Sequence, residues 1–138
     1  MMETMSRSAT LTSWACQILA AIILGQTLFF KFTGAAESRY IFERLGAEPW
    51  GRYGTGALEL VAVILLLTPR TAAVGAALAV GLMTGAIGGH LTKLGIEVKG
   101  DGGLLFGLAA TTLVASAVVL FLRRAELPIV GPWLAARV

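Results

Sequence analysis

The chain has 138 residues, 57% of them hydrophobic and 14% charged, with a mean hydropathy of +0.81, whereas a soluble domain is about 25% charged. That composition predicts a membrane protein folded as one domain. The net charge is +3 with its basic residues scattered, which gives no basic stripe for nucleic acid. A single cysteine, Cys16, excludes both an intramolecular disulfide and a dithiol relay within the chain.

The first apolar run, Trp14 to Phe30, predicts a span over about residues 13–32. Arg7 before it and Gly34-Ala35-Ala36 after it imitate a signal peptide. The run of about 17 residues nevertheless exceeds a usual h-region of about 7–15, so an uncleaved anchor is expected. In the connection that follows, Tyr40, Ile41, Phe42 and Leu45 lie among Glu37, Arg39, Glu43 and Arg44, the pattern of a short amphipathic segment at the interface. Trp50 and Tyr53 would anchor its end.

The second run, Gly54 to Leu67, is short of the roughly 20 residues that cross about 30 Å of hydrocarbon, so its helix is expected to start near Pro49-Trp50 and cover 50–67. Thr68 as N-cap and Pro69 at the first helical position predict a tight antiparallel hairpin into a third span, about 69–90. The last connection ends in Gly100-Asp101-Gly102-Gly103, where Asp101 is placed to cap a fourth span, about 103–122. None of these runs alternates as a barrel strand would. The expected fold is all-α: an integral membrane four-helix bundle, antiparallel and up-down, with a short amphipathic interfacial segment between spans one and two.

Basic residues are nearly balanced between the two faces. One face carries Arg7, Arg70, Arg123, Arg124 and Arg137, and the other Lys31, Arg39, Arg44, Arg52, Lys93 and Lys99. Arg70 and Arg123-Arg124 abut span ends with few acids nearby, which predicts both termini in the cytoplasm. Small residues recur every fourth position at Ala73, Ala77, Gly81, Gly85 and Gly89, and again at Gly103, Gly107, Thr111 and Ala115. Such ridges let helix backbones approach closely in lipid, and these are expected to face neighbouring helices.

Glu59 is the one carboxylate inside an apolar run, where a charge costs roughly 2.5–3.5 kcal/mol on insertion scales and calls for a partner or a purpose. It lies about five residues into its span, about 7.5 Å deep. Lys31 ends span one and His90 ends span three at the same face, with Gln26 deeper on span one. Lys31, Glu59 and His90 are therefore expected to converge as candidate catalytic groups, with Gln26 nearby. The plain alternative, an ion pair that fixes helix register, stays open beside this. The opposite half reads as nearly all apolar. One histidine falls short of a haem or zinc site, so no metal is expected, and Met83 reads as core.

Gly25-Gln26-Thr27-Leu28-Phe29-Phe30-Lys31-Phe32, Leu45-Gly46-Ala47-Glu48-Pro49-Trp50-Gly51, Gly56-Ala57-Leu58-Glu59-Leu60 and Thr68-Pro69-Arg70-Thr71 occur in that order. They are followed by His90-Leu91-Thr92-Lys93-Leu94-Gly95-Ile96-Glu97-Val98 and Gly100-Asp101-Gly102-Gly103-Leu104-Leu105-Phe106. Together, across Gln17 to Arg124, this set resembles the DoxX family. The resemblance implies a bacterial inner-membrane protein of four helices, similar to the small subunit of thiosulfate:quinone oxidoreductase. It supplies no agreed catalytic residue to carry onto Glu59 or His90.

Three functional readings follow. The leading one, following the resemblance, is a non-catalytic accessory or anchoring subunit of a quinone-linked membrane redox complex, in which Gln26, Lys31, Glu59 and His90 contact quinone and a membrane or periplasmic oxidoreductase is the partner. The second is a small transporter in which Glu59 handles a proton or cation, with a homo-oligomer completing the path. The third is an assembly protein that docks a partner through Tyr40, Ile41 and Phe42.

Overall fold

The computed structural model describes residues 5–135, and every regular element among them is helical. Helix α1 (Arg7–Thr33) starts at Ser6, whose hydroxyl accepts the Ala9 amide at 3.1 Å, and stops at Gly34, whose φ of +69° favours glycine. Helix α2 (Ala36–Arg44) is the amphipathic segment: Ser38 and Phe42 are buried, while Glu37, Arg39, Glu43 and Arg44 are exposed. Helix α3 (Trp50–Leu66) begins at Trp50, as the length argument required.

The turn after α3 departs from expectation in one respect. The Thr68 hydroxyl does not cap the next helix but donates back to the Ile64 carbonyl at 2.8 Å. Pro69 does open the following segment, as a 3-10 turn (Pro69–Thr71) that feeds α4 (Ala72–Gly89). The helix then widens into a π-turn over His90–Leu94. Helix α5 (Leu104–Leu122) is capped from two residues upstream of its N-cap Gly103 by the Asp101 carboxylate, which accepts the amides of Gly103 at 2.8 Å, Val98 at 3.0 Å and Leu105 at 3.1 Å. A 3-10 turn (Arg124–Glu126) and α6 (Gly131–Ala135) follow.

Three segments are long and apolar enough to cross a membrane: Arg7–Thr33, Pro69–Leu94 and Leu104–Leu122. Helix α3 is not among them. Its 17 residues rise only about 25 Å, less than the hydrocarbon thickness of about 30 Å. Helix α1 packs on α3 and α5, and α4 packs on the same two. Their shared core is rich in alanine, with Ala20, Ala62, Ala72, Ala76 and Ala79 around Leu24, Leu66 and Val119. Ile22, Phe29, Ile64, Val114 and Phe121 point outward and stay exposed, an apolar outer surface suited to lipid.

Of the ridges that the four-residue spacing selected, Ala73 and Ala115 are buried, but most of the other positions do not pack against a neighbouring helix. Ala77, Gly81 and Gly85 on α4, and Gly107 on α5, are exposed, and a Cβ added at Gly81, Gly85 or Gly107 would meet nothing within 4 Å. Gly89 and Gly103 sit at helix ends against Leu45 and Ile96 side chains, at ordinary contact distance. The residues that α4 buries are Ala72, Ala73, Gly75, Ala76, Ala79 and Met83. Gly75 is the point of closest approach: a Cβ there would lie 2.7 Å from the Leu66 amide nitrogen and 2.8 Å from the Leu65 Cβ. The short turn at Pro69 presses α4 against the last turn of α3, so the face is set by that turn.

Candidate functional site

Glu59 projects from α3 toward the last turns of α1. Gly56, one turn earlier, makes room, since a Cβ there would come within 3.1 Å of the Phe32 ring and 3.6 Å of the Lys31 Cβ. The Glu59 side chain is 2% exposed. Lys31 Nζ donates to Oε1 at 2.8 Å and to Oε2 at 3.0 Å. Thr27, one turn before Lys31 on α1, places its hydroxyl 2.9 Å from Oε2 and 2.8 Å from the Leu24 carbonyl. Two neighbouring rows of α1 thus hold one carboxylate of α3, and the ion pair expected from the sequence is formed. Arg52 fastens the same junction from below: it pairs with Glu48 at 2.8 Å and donates to the Lys31 carbonyl at the end of α1.

His90 is 6% exposed, buried rather than wetted at the interface. The π-turn explains its position. The Gly95 amide donates to the His90 carbonyl at 2.7 Å, and the ring Nδ1 lies 2.9 Å from the Gly95 carbonyl. That carbonyl can only accept, so Nδ1 carries a proton, and in the neutral tautomer that this bond selects Nε2 is an acceptor. The ring stands edge-on to Phe106 of α5, with centroids 5.6 Å apart. Wide helical turns of this kind are frequent at functional sites.

A cavity of about 460 Å³ joins these groups, with Gln26, Lys31, Glu59 and His90 all in its wall. The remaining wall is mostly apolar, from Ile23 and Phe30 of α1, Ile41 and Phe42 of α2, Met83 of α4 and Leu108 of α5. Volume and lining fall within the ordinary range for small-molecule sites. Helix α2 roofs it and brings Glu37 and Ser38 to the wall. The roof is tied to the segment after α4 by Arg44, which donates to the Lys93 carbonyl at 3.2 Å, and by Lys99 over the Tyr40 ring at 4.9 Å. Gln26, Phe30, Gly85 and Leu104 are wall residues that are also exposed, so the cavity opens sideways to the outer surface.

Asp101 does not join the cavity wall, and its oxygens are occupied by the amides of Val98 in the connection and of Gly103 and Leu105 at the start of α5. The hydrogen bond from Leu105, followed by those from Val98 and Gly103, holds its carboxyl below the usual range against the opposing effect of burial. Lys93 is exposed to solvent. Among the described residues, no group of three or more His, Cys, Asp or Glu is gathered closely enough to hold a metal ion.

The half expected to be nearly all apolar contains a second buried polar cluster. Arg123, 7% exposed, donates through Nε to Ser13 Oγ at 2.7 Å and to Gln17 Oε1 at 3.0 Å, and through a terminal nitrogen to Glu126 at 2.8 Å. Gln17 in turn donates to the Leu66 carbonyl at 2.6 Å, closing the open end of α3. Ser13 and Gln17, four apart in an apolar run, were the available signal. Arg123 is therefore no free interfacial charge for the orientation argument, and Arg137 of that argument lies outside the described residues. Compared with family models, with curated proteins and with solved structures, the chain matches none.

Proposed function

We propose that the chain is an antiparallel four-helix membrane protein of the DoxX type, whose sideways-opening cavity holds the ring of a quinone-type ligand for a partner oxidoreductase. The observation that carries this reading is the cavity itself: apolar walls, a lateral opening, and a buried Lys31–Glu59 pair sharing that wall with a buried His90 whose Nδ1 is held by Gly95. A lipid-soluble ring with polar substituents matches that combination. The apolar wall takes the ring and tail, while Lys31, Gln26 and His90 offer polar atoms for the ring oxygens.

A quinone-type ring, when bound, would supply the electron-transfer chemistry. The chain's own residues bind and orient: Glu59 holds the Lys31 side chain, Thr27 fixes the carboxylate, and Gly95 fixes the plane of the His90 ring. Helix α2 covers the roof with Ile41 and Phe42. In this reading the membrane is a bacterial inner membrane with both termini cytoplasmic, and the chain anchors or assists the oxidoreductase without carrying electrons itself. The transport reading is less favoured, because the buried apolar residues Ala20, Leu24, Ala62 and Leu66 separate the Glu59 end from the Arg123 end.

Affinity capture from native membranes in mild detergent tests the partnership. Stoichiometric recovery of an oxidoreductase subunit is the expected result. Recovery of the lone chain after mild cross-linking would refute the accessory-subunit half of the proposal.

A further inference from the structure

The hydrogen-bonding groups left free in the cavity wall are unevenly divided between donors and acceptors. Two of the three Lys31 N–H directions are spent on the Glu59 oxygens. The single Thr27 hydroxyl hydrogen is taken by the Leu24 carbonyl or by Glu59, and the Nδ1–H of His90 is committed to the Gly95 carbonyl, which leaves Nε2 the acceptor in that tautomer. What remains is rich in acceptors: His90 Nε2, unused lone pairs of Glu59, and the Glu37 carboxylate. Ser38, Thr55 and the Gln26 amide serve in either sense. Two carboxylates against one ammonium also leave the wall with a negative balance.

We infer that the cavity selects an uncharged headgroup that donates hydrogen bonds, and so prefers the reduced, dihydroxy form of a quinone-type ligand to its oxidised form. This inference rests on the ligand reading of the cavity proposed above. The oxidised ring carries two carbonyls, which only accept, and it would leave His90 Nε2 facing another acceptor. The reduced ring carries two O–H groups, which satisfy His90 Nε2 and a carboxylate oxygen together. A buried acceptor left without a donor loses the full worth of its desolvation. A fatty-acid carboxylate is disfavoured by the same wall, since it would add a third negative charge beside Glu37 and Glu59.

The test is equilibrium binding to the full chain in lipid nanodiscs under anaerobic conditions. The probes are a decyl-tailed benzoquinone, its hydroquinone, and the dimethyl ether of that hydroquinone. The hydroquinone is expected to bind about tenfold or more tighter than either acceptor-only probe. His90→Phe, which keeps an aromatic ring against Phe106, is expected to erase most of that difference. The ether comparison needs no change to the protein, so it decides the matter even where the variant folds poorly. Equal or tighter binding of the oxidised probe would overturn the redox preference while leaving the cavity a quinone-type site. A preference untouched by His90→Phe in folded protein would overturn the assignment to His90. Absence of binding by all three probes would overturn the ligand reading itself.

Discussion

Glu59→Ala strands the Lys31 ammonium beside an apolar wall. The two side chains are 2% and 14% exposed, so solvent screens them little. Breaking a buried pair by removing one partner costs about 3–5 kcal/mol. The low end applies here, because the Lys31 stem can lift its charge toward the interface. Insertion scales give a similar figure, roughly 2.5–3.5 kcal/mol for a lone charge at depth. The expected loss is therefore about 3 kcal/mol. Replacing both partners, as in Lys31→Met with Glu59→Leu, removes both charges and is expected to stay within about 1 kcal/mol of the parent. The assay is reversible unfolding in mixed micelles, titrated with denaturing detergent and followed by helical circular dichroism. A loss under about 1 kcal/mol for Glu59→Ala, or a double variant that loses the sum of the two singles, would refute a coupled buried pair.

Three further outcomes follow from other parts of the chain. Gly75→Ala forces a methyl against Leu65 and Leu66 backbone and is expected to cost about 1–3 kcal/mol, whereas Gly81→Ala, with open space around it, gains up to about 1 kcal/mol of helix stability; the same unfolding assay ranks them, and reversed signs would contradict the packing. Arg123→Met leaves Glu126 without its cation and Ser13 without its donor, while Gln17 Oε1 keeps the Ser13 hydroxyl, for an expected loss of about 3 kcal/mol, with Arg123→Lys intermediate because it lacks the planar fork; a neutral Arg123→Met would remove the cluster from the account. The Asp101 carboxyl is held below its ordinary range, so its contribution to stability is complete above the unfolded carboxylate range and is lost as pH falls through the lowered value. Asp101→Asn should flatten that acid-side dependence in a pH series of melting curves, and an unchanged slope would contradict the capping role.

The sequence announced the ion pair because a carboxylate in an apolar run leaves few physical options, and Lys31 was the cation at the same membrane face. His90 was legible by position but not by burial. Its seat depends on a π-turn and on the Gly95 carbonyl, neither of which leaves a mark in hydropathy. The Arg123 cluster was missed because an arginine at a span end reads as an interfacial charge, while its partners Ser13 and Gln17 lie more than a hundred residues away along the chain. The small-residue ridges were right at Ala73 and Ala115 and missed elsewhere for a different reason. A four-residue period shows that a smooth face exists, but the turn at Pro69 decides which face meets a neighbour, and it chose Gly75 and Ala76 over Ala77 and Gly81. The short second span was legible at its start near Trp50, and its remaining shortness follows from the close of α3 at Leu66.

The most direct measurement for the central claim is photolabelling in native lipid with an azido-benzoquinone carrying a short tail, followed by mapping of the modified residues by mass spectrometry. The account predicts saturable labelling confined to the cavity wall, on the stretch around Gln26 to Lys31 of α1, Met83 to His90 of α4 and Leu104 to Leu108 of α5, displaced by excess unlabelled ligand. Labelling spread over outward residues such as Ile22, Ile64 and Phe121, or unaffected by competitor, would contradict it.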